Sequence, residues 1–175
     1  MKPAGRTFRL VYLAILAALA VALHVIEALL PMPYVFPGAK LGLANVVALY
    51  LVLSYGPAEA VAVTGLRTVL GSLLSGTFLN LAFLLSLSGG LVSTGVMAAL
   101  SPLPRRSLSP IGISIAGAVT HNLTQLAVAV AVTRQAGLAL YLPVLLGFAL
   151  PTGLLNGLIA RRLVILQDSL ISRIR

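Results

Sequence analysis

The run from Leu10 to Leu30 holds no ionisable side chain before His24 and Glu27, apart from a tyrosine at position 12. It matches the roughly 20 mainly apolar residues that a bilayer-spanning helix needs. Pro31-Met32-Pro33 ends it, because proline lacks the amide proton that continues the helical ladder. Similar punctuation delimits further apolar segments at about 41–55, 58–75, 80–100, 111–132 and 138–160. Gly56-Pro57 closes the second, where Pro57 suits the first position of the next helix and Glu59 its positive dipole end. Gly76-Thr77 turns the chain into the fourth segment, and Pro102, Pro104, Arg105 and Arg106 make the next loop. Ser86-Leu87-Ser88-Gly89-Gly90 interrupts the fourth segment and predicts a weakened or bent helix. In the tail, Leu163, Ile165, Leu166, Leu170 and Ile171 stand among arginines as in an amphipathic surface helix. The pattern predicts an all-α integral membrane protein with six transmembrane helices. Residues 1–9 form a cytoplasmic N-terminal segment, 10–160 the membrane domain and 161–175 a cytoplasmic amphipathic helix.

Composition excludes the main alternatives. Only 9% of residues are charged, against about 25% in a soluble domain, and the mean hydropathy is +1.09. A soluble enzyme, a DNA-binding domain and a disordered tail all need more polar surface. The net charge of +9 would suggest nucleic acid in a soluble chain. Here nine of the twelve basic residues fall in three stretches flanking apolar segments: Lys2, Arg6 and Arg9; Arg105 and Arg106; Arg161, Arg162, Arg173 and Arg175. With six spans, the positive-inside rule places all three stretches and both termini in the cytoplasm, leaving Lys40 and Arg134 outside. The expected location is the cell membrane, with multiple passes and no nucleic-acid partner. A secretory signal is the competing account of the N-terminus, given Ala20-Val21-Ala22, but the first run exceeds a signal's apolar region of roughly 7–15 residues. The absence of cysteine removes disulfides, thiolate catalysis and Cys-ligated metals.

Ionisable groups inside a span cost roughly 2.5–3.5 kcal/mol each at its centre. Arg67, His121, Glu27 and His24 are therefore the residues to explain. At 1.5 Å per residue from the span starts, Arg67 lies about 14 Å and His121 about 15 Å from the cytoplasmic edge, a shared depth near midplane. His121 and Gln125 are spaced i, i+4 and share a helix face, with Asn122 beside them. Arg67, Gly71 and Ser75 form a similar stripe in the third segment, and Lys40 and Asn45 mark the outer end of the second. Lys40, Asn45, Arg67, Ser75, His121, Asn122 and Gln125 are the candidate binding residues of a pocket open to the outside. The plainer alternative pairs Arg67 with Glu27 or a carbonyl, treats the fifth-segment amides as interhelical glue, and lets Lys40 snorkel. His24 with Glu27 supplies two ligands, too few for a metal centre. Ala14, Ala18 and Ala22 make a small-residue face for a neighbouring helix, internal or on a partner.

Four stretches carry a family resemblance: Pro37-Gly38-Ala39-Lys40-Leu41-Gly42-Leu43-Ala44-Asn45, the run Arg67 to Thr77, Leu84 to Gly90, and Gly117-Ala118-Val119-Thr120-His121-Asn122. Across about residues 10–160 the chain resembles the Gx transporter family, also described as heptaprenyl diphosphate synthase component I. That family is similar to the substrate-binding S-components of energy-coupling factor (ECF) importers. The resemblance implies six helices with cytoplasmic termini and an outward cavity capped by Pro31 to Lys40. It also implies an ECF-type coupling subunit docked on Ala14, Ala18 and Ala22, with ATPases as separate chains.

The synthase description meets a chemical obstacle. Magnesium-held diphosphate needs carboxylate oxygens, and the chain has only Glu27, Glu59 and Asp168, far apart. No catalytic residue, cofactor or metal site is expected. The leading expectation is a non-enzymatic importer subunit binding a polar or anionic solute. The alternative is a non-catalytic membrane component of isoprenoid or quinone metabolism, or of membrane electron transfer, with a lipid-like ligand. A structural scaffold is the third.

Overall fold

A computed structural model describes residues 5–29, 42–103 and 108–174. It folds them into α1 (Arg6–Leu29), α2 (Leu43–Ser54), α3 (Pro57–Leu74), α4 (Leu81–Leu100), α5 (Pro110–Thr133) and α6 (Leu142–Ile174), with a 3-10 segment, Ala136–Tyr141, before α6. Local chemistry sets the helix ends. Gly56, at φ 126°, takes a turn that a side chain would strain and hands over to Pro57, with Glu59 in the first turn of α3. The Asn80 and Ser109 side chains accept the amide protons of Phe83 and Gly112 at 3.1 and 3.2 Å, capping α4 and α5.

The structure corrects the expected six transmembrane helices. Among the described residues, four segments are long and apolar enough to cross a membrane: Thr7–Leu29, Leu81–Leu100, Pro110–Thr133 and Ala136–Ser169. With 12 residues, α2 reaches roughly 18 Å, short of a hydrocarbon core of about 30 Å. The 18 residues of α3 include Glu59, Arg67 and the buried hydroxyls of Thr64, Thr68 and Ser72, which make it too polar. The expectation counted apolar segments rather than their capacity to span, and the S-component-like topology built on six spans goes with it. The protein is a multi-pass membrane protein with two further helices packed among its spans. The predicted interruption at Ser86 to Gly90 is also absent, since α4 passes through it as one helix. Residues 161–174 continue α6 without a break.

Burial explains the arrangement. The short α2 is apolar all round and buries eight of its residues, Ala44 and Val46 to Val52, as a helix with no polar face must. It lies inside, touching α1, α3, α4 and α6, while the other helices follow one another as α1, α3, α4, α5 and α6. The outward faces of α1 and α6 expose Leu10, Val11, Ile15, Leu19, Leu150 and Leu154, the surface a bilayer accepts and water does not.

One end of α2 is tied down by tyrosines. The Tyr50 hydroxyl donates to Gln167 Oε1 at 2.9 Å and lies 3.1 Å from the Tyr12 hydroxyl. Tyr12 stacks on Tyr55, and Arg9 pairs with Glu59 nearby. Burial, reinforced by Tyr12, pushes the Tyr55 hydroxyl above its usual range, while Arg9 pulls it down. Tyr50→Phe removes the donor that joins α2 to the far end of α6. It is expected to lower stability by about 1 kcal/mol, the net worth of one such hydrogen bond. Thermal unfolding of the full chain in detergent checks it.

Candidate functional site

At the other end of α2 the helices enclose a polar cleft lined by His24 and Glu27 of α1, Gly42 and Asn45 at the start of α2, Arg67 of α3, Ser86 of α4 and His121 of α5. Arg67 is 4% exposed. Its Nη2 donates to Asn45 Oδ1 at 2.8 Å, whereas its Nε finds no hydrogen-bond partner among the described residues. Glu27 Oε1 accepts the Leu43 amide proton at 2.6 Å, at the positive end of α2. Its negative charge also acts on Arg67. Asn156 of α6 donates to the Gly42 carbonyl at 3.0 Å. Gly42 itself sits at φ 68°, a left-handed turn that favours glycine. The first turn of α2 is thus held from α1 and α6 together.

Glycines make the room. A Cβ on Gly71 would stand 2.6 Å from the His24 ring, one on Gly89 would stand 2.9 Å from Gln125 and 3.1 Å from His121, and one on Gly90 would stand 3.1 Å from the Thr64 side chain. Gly89 and Gly90 therefore do not break α4; they let α5 and Thr64 of α3 lie against it. The cleft measures about 270 Å³ to its mouth, and the part clear of side chains holds about one water molecule. That clear space is far below the roughly 300–1,000 Å³ of pockets that enclose a whole ligand. Among the described residues no group of three or more His, Asp or Glu forms a metal site.

The candidate residues divide. Asn45, Arg67 and His121 line the cleft. Gln125 is buried one turn further along α5, against Gly89. Asn122 points elsewhere and donates to the Leu145 carbonyl of α6 at 2.8 Å. Ser75 ends α3 in a turn, 3.0 Å from the Thr77 hydroxyl. Lys40 lies outside the described residues. Ala14, Ala18 and Ala22 are exposed on the outer face of α1, while Ala17, Ala20 and Val21 face inward. Sequence reasoning singled out Glu27 and His24 as buried ionisable groups without placing them among the binding residues, and it left out Gly42, Ser86 and Asn156. For Asn156 the signal was a lone amide within an apolar run, flanked by Gly153 and Gly157.

Comparison with known proteins changes the family assignment. No curated protein matches the chain, and no solved structure matches it. The resemblance to the Gx transporter family and ECF S-components is overturned, because the family model that matches residues 16–163 is heptaprenyl diphosphate synthase component I. The importer reading falls with it, as does the ground for a coupling subunit and ATPases. By that match, which takes in most of its length, the chain belongs to the heptaprenyl diphosphate synthase component I family.

Proposed function

We propose that the protein is a non-catalytic membrane component of isoprenoid metabolism that holds the polar head of a lipid-like ligand in the cleft between α1 and α5. The observation that carries this reading is Arg67: a buried guanidinium with an unused Nε, facing a small polar space inside an apolar protein. Such a group suits phosphate oxygens, which a planar fork of donors meets in pairs. A polar cleft inside helices whose outer faces meet lipid suits the head of a ligand with its tail in the bilayer.

The scarcity of carboxylates supports a non-catalytic role. Diphosphate chemistry carried by magnesium draws on several oxygen ligands. In the cleft Glu27 is the lone carboxylate among the described residues, Glu59 is engaged by Arg9, and Asp168 is on the exposed end of α6. Bond-making is assigned to a separate chain.

The test is native mass spectrometry of the chain purified in mild detergent. The wild type is expected to retain a prenyl phosphate or diphosphate. The double variant Glu27→Gln/Arg67→Met, which removes a buried charge together with its counter-charge, is expected to lose at least tenfold of that signal. A wild type with no isoprenoid, or equal retention in both proteins, overturns the proposal.

A further inference from the structure

The cleft already contains an anion, the carboxylate of Glu27. It receives the Leu43 amide proton at 2.6 Å at the N-terminus of a 12-residue helix, where exposed amide protons and the helix dipole favour phosphate in many proteins. Beside it, Arg67 offers an Nε that no described residue takes up, on a side chain only 4% exposed. The clear space holds about one water molecule, so a phosphate group enters only if a lining side chain moves. Arg67 and Glu27 carry opposite charges that act on one another. A phosphate added beside a resident Glu27 would leave like charges together in a site of low dielectric, where their repulsion is strongest.

Among the described residues, the charged and titratable groups facing Glu27 are few. Along the cleft they are His24 on its own helix, Arg67 from α3 and His121 from α5, while α2 contributes Asn45 and the Leu43 amide, and α4 contributes Ser86. Arg67 is the fixed cation of the set.

We infer that Glu27 is a resident counter-ion and that the cleft takes a phosphate- or diphosphate-type group by exchanging it for this carboxylate, with the α2 amide and Arg67 passing from one anion to the other. The inference rests on the reading above and adds to it the ligand's charged group and the side chain it displaces. Glu27→Gln keeps an oxygen that accepts the Leu43 amide proton but removes the competing charge.

The experiment uses the full chain in lipid nanodiscs with two probes, inorganic pyrophosphate and farnesyl diphosphate. Glu27→Gln is expected to bind pyrophosphate at least tenfold more tightly than the wild type. A second measurement does not depend on that variant folding. The chain has only three acidic side chains, so Glu59→Gln/Asp168→Asn leaves Glu27 as the sole side-chain carboxylate. Saturating pyrophosphate is expected to shift its infrared carboxylate stretch. Pyrophosphate binding that is no tighter in Glu27→Gln, or bound pyrophosphate with an unmoved carboxylate band, overturns the exchange. No pyrophosphate binding by either protein overturns it too.

The probes separate the sources of the anion. Farnesyl diphosphate binding tenfold or more above pyrophosphate identifies a lipid head group, and equal binding identifies a free phosphate compound. Either supports the exchange. Tighter pyrophosphate binding by Glu27→Gln in a protein that retains no isoprenoid on purification leaves the exchange standing and removes the isoprenoid reading. Isoprenoid retention without the Glu27 effect does the reverse.

Discussion

Gly153→Val and Gly157→Val are each expected to lower the stability of the protein by about 3 kcal/mol, the upper part of the usual range for overpacking a filled interior. A Cβ at Gly153 would stand 2.7 Å from the Cα of Ile115, and one at Gly157 would stand 2.7 Å from the Cα of Ile111. These neighbours are backbone atoms of α5, which cannot rotate aside as a side chain does. The two helices must separate along the most extensive helix–helix contact in the fold. Gly95 is the control: it lies in α4 with nothing within 4 Å of an added Cβ. Gly95→Ala is expected to leave stability unchanged or to raise it by up to about 1 kcal/mol through helix propensity. Thermal unfolding in one detergent ranks the three variants, and equal midpoints would show that the close approach of α5 and α6 is not a constraint.

The second large effect is a non-additive one. Arg67→Met removes the opposite charge that acts on buried Glu27, and Glu27→Gln removes the one that acts on buried Arg67. Each residue is less than a tenth exposed. Removing one of two opposite buried charges that act on each other costs more than removing both together. The double variant is therefore expected to be more stable than either single variant. A double-mutant cycle measured by unfolding reads the coupling directly. Additive losses would show that Arg67 and Glu27 do not answer one another's charge.

The helix segments were legible because proline, glycine and charge punctuate the apolar runs. Pro31, the Gly56-Pro57 pair and the Gly76-Thr77 turn each stand at or close to the end of a segment in the sequence. What the runs could not convey was reach. The segment at 41–55 becomes a helix of 12 residues, too short to span, and Arg67 with its neighbouring hydroxyls lowers the hydropathy of α3. Local composition also misled at Gly89 and Gly90. Alone they read as a weak point, but their meaning lies in His121 and Gln125 arriving from α5.

The site was only partly legible for a related reason. Helical spacing gives the direction of a side chain within its own helix, not the identity of the helix it meets. His121 and Asn122 are adjacent in sequence, yet one faces the cleft and the other binds the Leu145 carbonyl. Ser75 continues the stripe of Arg67 and Gly71, but the helix ends there and turns it toward Thr77. Glu27 was visible as an ionisable group in an apolar run. Its partner, the Leu43 amide, belongs to the backbone and leaves no trace in the pattern of side chains.

The central position of α2 also orders the history of the molecule. Its first turn is fastened by Asn156, separated from Gly42 by 114 positions, and its other end by Gln167, separated from Tyr50 by 117. Ordering contacts so far apart in sequence requires the intervening chain to be brought together first. During synthesis, α1 and α2 leave the ribosome long before α6 exists to hold them. The first turn of α2, and with it the Gly42 and Asn45 side of the cleft, therefore gains its last anchor only once α6 is made.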